Sequence, residues 1–154
     1  HNDTKLNNVL LDAATRQALC VIDLDTVMPG LMGHDFGDAI RFAANRCEED
    51  CPDPGKAGVD MEVFRSFAEG FLEKTAHAMT QAEADTLAIS CFCLTAELAV
   101  RFLGDYLEGD PYFKTLYPEH NLVRTRCQIA LAKDMLARRG DMENIIRDCL
   151  AQYK

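Results

Sequence analysis

The first apolar residues of the chain fall in two short runs that are separated by polar residues. The runs extend from Val9 to Leu11 and from Ala18 to Ile22, and the stretch from Asp12 to Gln17 lies between them. Two brief apolar runs joined by a polar turn predict a small β-hairpin. The second run ends at Asp23, so a carboxylate follows the second predicted strand directly.

Two segments rich in glycine and proline interrupt the pattern after the hairpin. The stretch from Thr26 to Gly37 holds one proline and three glycines and predicts a loop. A helix is then expected to begin near Asp38 and to carry Ile40 and Phe42. The segment from Cys47 to Gly58, with two prolines and two glycines, predicts a second surface loop.

Helical periodicity dominates the rest of the chain. Asp60 can cap a helix that ends near Thr75. The sequence from Thr80 to Glu83 is a capping box that opens a long helix, and Gly109-Asp110-Pro111 ends it. The apolar stripes of these two helices predict buried residues: Val63, Phe64, Phe67, Phe71, Leu72, Leu87, Cys91, Leu94, Leu98 and Phe102. Two further helices are expected over Asn121–Arg139 and Asp141–Gln152, separated by Gly140.

The predicted fold is therefore mainly α with a small β-hairpin, in one domain covering residues 1–154. Residues 1–25 hold the loop and hairpin, 26–58 a loop and short helix, and 59–154 a helical bundle. A chain of 154 residues is long enough to bury a sizeable core in a single domain. The pattern contains no internal repeat.

Charge and cysteine content narrow the functional classes. The net charge of −9 disfavours nucleic acid or an anionic membrane as a partner, because both would repel the chain. No charged-then-apolar leader or apolar run of about 20 residues indicates export or a membrane span. The seven scattered cysteines indicate free thiols in a reducing cytoplasm. Cys47 and Cys51 flank an acidic run that would attract a cation, but they lack the second ligand pair of a zinc site.

The chain begins with the pattern H-x-D-x-K-x-x-N, formed by His1, Asp3, Lys5 and Asn8. This spacing resembles the catalytic loop of kinase-fold phosphotransferases, where the carboxylate receives the proton of the acceptor hydroxyl and the amide holds magnesium. Asp3 is the candidate base and Asn8 a candidate metal ligand. Lys5 is a candidate for contacting the transferred phosphoryl group. The alternative interpretation of Asp3 is a turn aspartate that caps main-chain amides, and that of Lys5 is a solvent-exposed lysine.

Asp23 is the second candidate magnesium ligand, because a strand-end carboxylate suits a metal that bridges phosphates. Asp25 lies two residues later, and an extended backbone would point it to the same side. It is a candidate for metal or substrate binding, or a loop carboxylate that caps a turn. The triplet Asp35-Phe36-Gly37 follows a glycine-rich loop rather than a strand, which favours Asp23 as the ligand. Asp38 is expected to brace the 1–8 loop from the start of a helix.

Three short motifs and two longer segments carry a resemblance to a known family. The loop motif, Val21-Ile22-Asp23-Leu24-Asp25 and Asp35-Phe36-Gly37-Asp38 resemble the aminoglycoside phosphotransferase/choline kinase superfamily. Within it, the segments 20–41 and 105–128 are most similar to N-acetylhexosamine 1-kinases. The resemblance covers nearly the whole chain but about half of such a kinase, the C-terminal lobe.

The resemblance implies an ATP- and Mg²⁺-dependent kinase that phosphorylates the anomeric hydroxyl of an N-acetylhexosamine in the cytoplasm. It implies Asp3 as the base, Asn8 and Asp23 as metal ligands, and Asp25 and Arg41 near the sugar. His34 departs from the family pattern, which has an aromatic residue there more often. The ATP-binding lobe is absent, so the chain is expected to be inactive by itself. We expect its hairpin to expose the apolar surface on which that lobe docks and to self-associate there.

Three alternatives remain open from the sequence. A choline, homoserine or aminoglycoside kinase would share the loop, although a choline site needs an aromatic cage and the chain has no tryptophan. A non-catalytic helical module would retain the loop residues for structural reasons only. The D-x-D of Asp23 and Asp25 also resembles haloacid-dehalogenase-type phosphatases, but that fold needs strand–helix alternation, which the pattern lacks.

Overall fold

The computed structural model describes residues 1–153 and is mainly helical. Its elements in chain order are strands β1 (Val9–Leu11) and β2 (Ala18–Val21), then helices α1 (Met32–Ala43), α2 (Met61–Thr75), α3 (Gln81–Glu108), α4 (His120–Ala137) and α5 (Arg139–Tyr153). Short 3-10 turns occupy Leu6–Asn8, Leu24–Thr26, Pro54–Lys56 and Ala76–Ala78. The mainly α fold with a small β-hairpin is confirmed. No strand–helix alternation of the phosphatase kind follows Asp23 within these residues.

The hairpin has the predicted position. β1 pairs antiparallel with β2, with Val9 opposite Val21 and Leu10 opposite Cys20. The main-chain N–H of Ile22 donates to the carbonyl of Asn8 at 2.9 Å, which extends the pairing by one residue on each strand. Asn8 and Ile22 are therefore the last paired residues at this end of the hairpin, and Asp23 follows directly after Ile22. All of β2 is exposed to solvent.

α3 packs against α1, α4 and α5, whereas α2 packs mainly against α5 and also contacts α1. Phe36 of α1 is fully buried, and its ring lies 5.8 Å from that of Phe64 and 5.3 Å from that of Phe71. Aromatic pairs at these separations add to the hydrophobic stabilisation of the core. Val63, predicted as a core residue, is instead exposed at the margin of this cluster.

The sequence signals for helix ends are confirmed at three positions. The Asp60 carboxylate accepts from the N–H groups of Glu62 and Val63 at the start of α2. The Thr80 hydroxyl and the Glu83 carboxylate form the reciprocal capping box of α3. Gly109 ends α3 with a φ of 92°, a left-handed conformation that glycine adopts without steric cost.

Two predicted boundaries are wrong. α1 begins at Met32, six residues before Asp38, because Gly33 and Gly37 are helical residues rather than loop residues. A Cβ on Gly37 would lie 2.7 Å from the carbonyl oxygen of Ser90, so this glycine permits α1 to approach the backbone of α3. Gly140 lies inside the first turn of α5 and does not separate two helices, since α5 begins at Arg139.

One helix, α3, bears on the expectation that no apolar run of about 20 residues indicates a membrane span. By length and composition, this helix alone among the described residues could cross a bilayer. The core helix of a globular domain passes the same test. α3 buries Leu87, Cys91 and Phe102 against its neighbours, and it carries the charged residues Glu97 and Arg101 on its exposed side.

Candidate functional site

The 1–8 loop brings three of the candidate residues into direct contact. The Asp3 Oδ2 atom accepts hydrogen bonds of 2.9 Å from both Lys5 Nζ and Asn8 Nδ2. Asn8 Nδ2 also donates to the Asp3 carbonyl, and its side chain is buried. The other carboxylate oxygen of Asp3 has no partner among residues 1–153, and the side chain keeps 28% of its surface exposed. Asp3 is thus fixed through one oxygen while the other stays accessible.

Asp23 lies beside Asn8 because of the hairpin register. The hydrogen bond between Ile22 and Asn8 puts the two residues on neighbouring strands, and Asp23 is the next residue after Ile22. Asp23 has φ 62° and ψ 57°, a left-handed conformation that is uncommon for residues other than glycine. Strained backbone of this kind occurs often at binding sites. The exposed Asp23 carboxylate makes no hydrogen bond within the described residues.

Asp35, rather than Asp38, braces the 1–8 loop. Its Oδ1 accepts from the main-chain N–H of Asn2 at 2.7 Å, and its Oδ2 accepts from the main-chain nitrogen of His1 at 3.0 Å. The Thr4 hydroxyl donates to the Asp35 carbonyl at 2.6 Å. The prediction that Asp38 has this role is wrong: Asp38 Oδ1 accepts from Nε and Nη2 of Arg41, one turn later on α1. The carboxylate at the first turn of α1 is the one that reaches the loop.

Further contacts connect the loop to the segment after the hairpin. His1 Nε2 lies 3.0 Å from the Ile22 carbonyl, and the Thr26 hydroxyl donates to the His1 carbonyl at 2.7 Å. Asn2 Nδ2 donates to the carbonyls of Thr26 and Met28. The loop is therefore held from two sides, by α1 and by the residues that follow Asp23.

The argument that placed Asp25 beside Asp23 is wrong in its geometry. Leu24–Thr26 is a 3-10 turn, so the backbone between the two aspartates is not extended. Asp25 is exposed and makes no side-chain hydrogen bond within the described residues. Arg41 is buried and fully engaged, because its Nη1 also donates to Glu49 at 2.6 Å.

Asn8 and Asp23 fit a magnesium ion by their chemistry. The Asn8 amide nitrogen is occupied by Asp3, which leaves Oδ1 as the free atom of that amide. The Asp23 carboxylate supplies further bare oxygens. Mg²⁺ prefers oxygen ligands and needs only one or two side chains when phosphates and water complete its shell. In residues 1–153 no cluster of three or more His, Cys, Asp or Glu side chains is arranged to hold a metal.

A cavity of about 640 Å³ opens next to the 1–8 loop. Leu6 forms one wall, and Leu6 belongs to the same 3-10 turn as Asn8. The opposite wall is the end of α1 and the loop after it, including Arg41, Phe42 and residues 45–52, and Gln128 of α4 also lines it. We name this space the Gln128 cavity. Asp25 is not among its lining residues, whereas Arg41 is.

Polar contacts to α4 hold the outer wall of the Gln128 cavity in place. Buried His120 accepts from the Leu116 N–H at Nδ1, so its Nε2 carries the proton and lies 3.0 Å from Asp50 Oδ2. The Cys47 sulfur lies 3.9 Å from that of Cys127. Burial and the neighbouring Cys127 thiol raise the pKa of Cys47 to about 12, and burial also raises the pKa of Cys127. Both groups are protonated thiols at neutral pH.

Two residues of this region were missed by sequence reasoning. Asp35 is considered from the sequence only as a metal ligand and the helix start is predicted near Asp38, so the first-turn position of Asp35, which would be a recognisable signal, goes unnoticed. Gln128 carried no signal at all, since an amide on a predicted helix looks like any other polar position.

The comparison with known families agrees with the loop chemistry. Residues 1–72 match the model of the phosphotransferase enzyme family APH. The matched segment contains the 1–8 loop, the hairpin, α1 and most of α2. This similarity supports the aminoglycoside phosphotransferase/choline kinase superfamily, and with it a kinase-type phosphotransferase, as the class that the loop motif indicates.

Proposed function

We propose that this chain carries the metal-binding and acceptor-binding half of an ATP-dependent small-molecule kinase. The observation that supports it most is the contact between Asp3 and Asn8. One oxygen of Asp3 is held by Asn8 and Lys5, and the other is free to accept a proton from an acceptor hydroxyl. A base must reach the proton that it removes, within hydrogen-bonding distance.

Asn8 and Asp23 hold the magnesium ion in this proposal. When bound, the ion offsets the negative charge of the phosphates of ATP. Asn8 has a second task, since its amide nitrogen keeps Asp3 in place. Lys5, paired with Asp3, lies where its charge can approach the transferred phosphoryl group. Asp35 holds the 1–8 loop in position by accepting hydrogen bonds from Asn2 and Thr4.

The hairpin surface is proposed to receive the nucleotide-binding lobe. The proposed magnesium ligands Asn8 and Asp23 lie at one end of the paired strands. In this proposal the phosphates of the nucleotide bind at that end, and the rest of the nucleotide lies over the hairpin. Leu19 is 66% exposed, and Leu10, Val21 and Ile22 are exposed beside it. No glycine-rich strand–turn–strand of a phosphate-binding lobe occurs in residues 1–153. We therefore propose that the chain alone does not turn over.

The acceptor is proposed to be an N-acetylhexosamine, phosphorylated at its anomeric hydroxyl and bound in the Gln128 cavity. The ionic balance of the cavity supports a neutral acceptor, because two arginines offset two of its three carboxylates. A choline site would need several aromatic rings, and Phe42 is the one aromatic residue that lines the cavity. Seven free thiols support the cytoplasm as its compartment.

Kinetics would test the proposal in a polypeptide that carries this sequence together with a nucleotide-binding lobe. N-acetylglucosamine, N-acetylgalactosamine, choline and an aminoglycoside are offered with ATP and Mg²⁺. We expect sugar 1-phosphate from the first two, identified by phosphorus NMR. The chain alone serves as the control and should give none.

Two variants separate the roles of the aspartates. Asp3→Asn should lower kcat by about 10²–10⁴-fold with little change in substrate binding, because a positioned base is worth that much. Asp23→Asn should weaken productive Mg²⁺–ATP binding and recover in part at higher Mg²⁺. Near-normal turnover of both variants would show that the loop is structural and would support a non-catalytic module.

A further inference from the structure

The Gln128 cavity exposes a carboxylate that a buried histidine holds in place. Asp50 lines the cavity, and its Oδ2 atom accepts from Nε2 of His120 at 3.0 Å. The His120 side chain is 1% exposed, whereas that of Asp50 is 42% exposed. The second Asp50 oxygen, Oδ1, has no hydrogen-bond partner among residues 1–153. Asp50 therefore satisfies a buried donor through one oxygen and leaves the other available to a ligand.

Asp50 keeps its full negative charge, because its partner is a neutral imidazole. Nδ1 of His120 accepts from the Leu116 N–H, so it carries no proton. Glu49 also lines the cavity, but it forms an ion pair with Arg41, whose guanidinium offsets its charge. A hydrogen bond to an ionised acceptor is roughly twice as strong as one between neutral groups. Asp50 is therefore a stronger acceptor for a neutral ligand than Glu49.

Arg46 adds a free donor to the same cavity. Its side chain is exposed, lines the cavity and makes no ion pair or hydrogen bond within residues 1–153. A cationic ligand group that Asp50 attracts is repelled by Arg46, and the reverse holds for an anion. A hydroxyl group donates and accepts, so the hydroxyls of one ligand can pair with both residues. The amide atoms of Gln128 are unpaired but covered, so they do not take part.

We propose that Asp50 is the specificity-determining residue of the acceptor site, where it accepts a hydrogen bond from a non-anomeric sugar hydroxyl, and that His120 positions it. This inference rests on the proposed function. A second hydroxyl of the sugar accepts from Arg46. Because His120 already holds Asp50, little side-chain freedom is lost when the sugar binds. A site built to hydrogen-bond a ligand hydroxyl discriminates against the analogue that lacks it.

The first test is Asp50→Asn in the polypeptide with its nucleotide-binding lobe. The asparagine keeps an oxygen for His120 and turns an NH₂ group, a donor, toward the cavity. We expect the KM for N-acetylglucosamine to rise roughly 10–100-fold, since a bond to a charged acceptor is lost. The KM for ATP should not change, and kcat should stay within a few-fold. Asp53→Asn, at an exposed position outside the cavity, is the matched control and should leave both KM values unchanged.

Two substitutions of His120 separate its two contacts. His120→Gln retains a donor that reaches Asp50 but lacks the acceptor for Leu116, and His120→Asn retains that acceptor but lacks the donor. His120→Asn should raise the KM for the sugar several-fold, whereas His120→Gln should keep it near the wild-type value. Loss of stability alone would not separate the two variants in this way. Equal KM values in both would overturn the positioning role of His120.

A binding measurement tests the contact without turnover. N-acetylglucosamine and analogues with one non-anomeric hydroxyl replaced by hydrogen are titrated by NMR into wild type and Asp50→Asn. One analogue should bind more weakly than N-acetylglucosamine to wild type, and the two should bind Asp50→Asn equally. Additive losses for every analogue would overturn the inference. So would a preference for glucosamine that disappears in Asp50→Asn, because Asp50 would then pair with a cation.

The outcomes separate this inference from the proposed function. If the wild type phosphorylates N-acetylglucosamine and Asp50→Asn keeps its KM, the inference is wrong and the proposed function stands. If no acceptor is phosphorylated but Asp50→Asn loses the discrimination between N-acetylglucosamine and one analogue, the recognition stands and the kinase proposal fails. Neither phosphorylation nor sugar binding by the wild type would overturn both.

Discussion

The carboxylate of Asp35 accepts a 2.7 Å hydrogen bond from the main-chain N–H of Asn2, across 33 residues of sequence. This contact joins the first turn of α1 to the loop that presents Asp3, Lys5 and Asn8. The position of the proposed base therefore depends on a carboxylate that does not contact substrate.

Asp35→Asn should release the 1–8 loop. An asparagine at this position retains one acceptor oxygen and turns an NH₂ group toward a main-chain donor, so one of the two N–H contacts is lost. Hydrogen bonds to a charged acceptor contribute about 1.5–3 kcal/mol. We expect faster hydrogen exchange at the Asn2 amide and a kcat that falls while the KM for ATP changes little.

Asp38→Asn is the control for this prediction, because Asp38 pairs with Arg41 and does not reach the loop. Its substitution should reduce the free energy of unfolding without selective loss of Asn2 protection. Equal protection of Asn2 in the two variants would contradict the assignment of Asp35 as the brace.

Gly37→Ala should destabilise the fold although alanine is the better helix former. The added Cβ would lie 2.7 Å from Ser90 O and 2.8 Å from Ser90 C, which are backbone atoms of α3 and cannot rotate away. Overpacking of this kind costs about 1–3 kcal/mol. Gly70→Ala on α2 is the matched control, since its Cβ would meet nothing within 4 Å, and it should gain up to about 1 kcal/mol. Urea unfolding of the two variants measures the difference, and equal stability would contradict the close approach of α1 and α3.

The sequence predicted the local features of the fold and missed those that depend on distant contacts. The hairpin, the Asp60 cap, the capping box at Thr80 and the stop at Gly109 each rest on residues within one or two turns of one another. The sequence predicts a loop at Gly37, because the contact that requires a glycine there is with the backbone of Ser90, which is remote in sequence. The unpaired amide of Gln128 is visible only once α1, α4 and the loop between α1 and α2 are packed together.

The same limit applies to the candidate site. Asp3 and Asn8 were found because their spacing within one loop is informative, and Asp23 because it ends a strand. The prediction for Asp25 assumes an extended backbone, whereas a 3-10 turn follows Asp23. The sequence predicts the start of α1 six residues too late, which moves the first-turn position, and with it the predicted brace, from Asp35 to Asp38.

The chain on its own should self-associate through the hairpin. Leu19 on β2 is 66% exposed, and both edges of the two-stranded sheet are unpaired within the described residues. Exposed apolar patches with free strand edges favour association. Leu19→Lys should shift the chain toward monomer in sedimentation velocity. Leu107→Lys, on the exposed side of α3 and away from the hairpin, should not. A wild-type chain that stays monomeric at its highest attainable concentration would count against this docking surface.

Cys47 should make the stability of the chain depend on pH in the alkaline range. Its thiol is ordinarily expected to have a pKa of 9.0, and burial together with Cys127 raises that pKa to about 12 in the folded chain. Between these values the unfolded chain loses the proton that the folded chain retains, so ionisation favours unfolding and stability falls as the pH rises from 9 to 12. Below pH 9 both states keep the proton, and the Cys47 contribution is constant.

Cys47→Ala should flatten the alkaline part of the stability curve relative to wild type, whereas Cys93→Ala, at an exposed position, should leave it unchanged. Chemical denaturation at a series of pH values measures this difference, and parallel curves for wild type and Cys47→Ala would show that the thiol is not shielded by the wall of the Gln128 cavity.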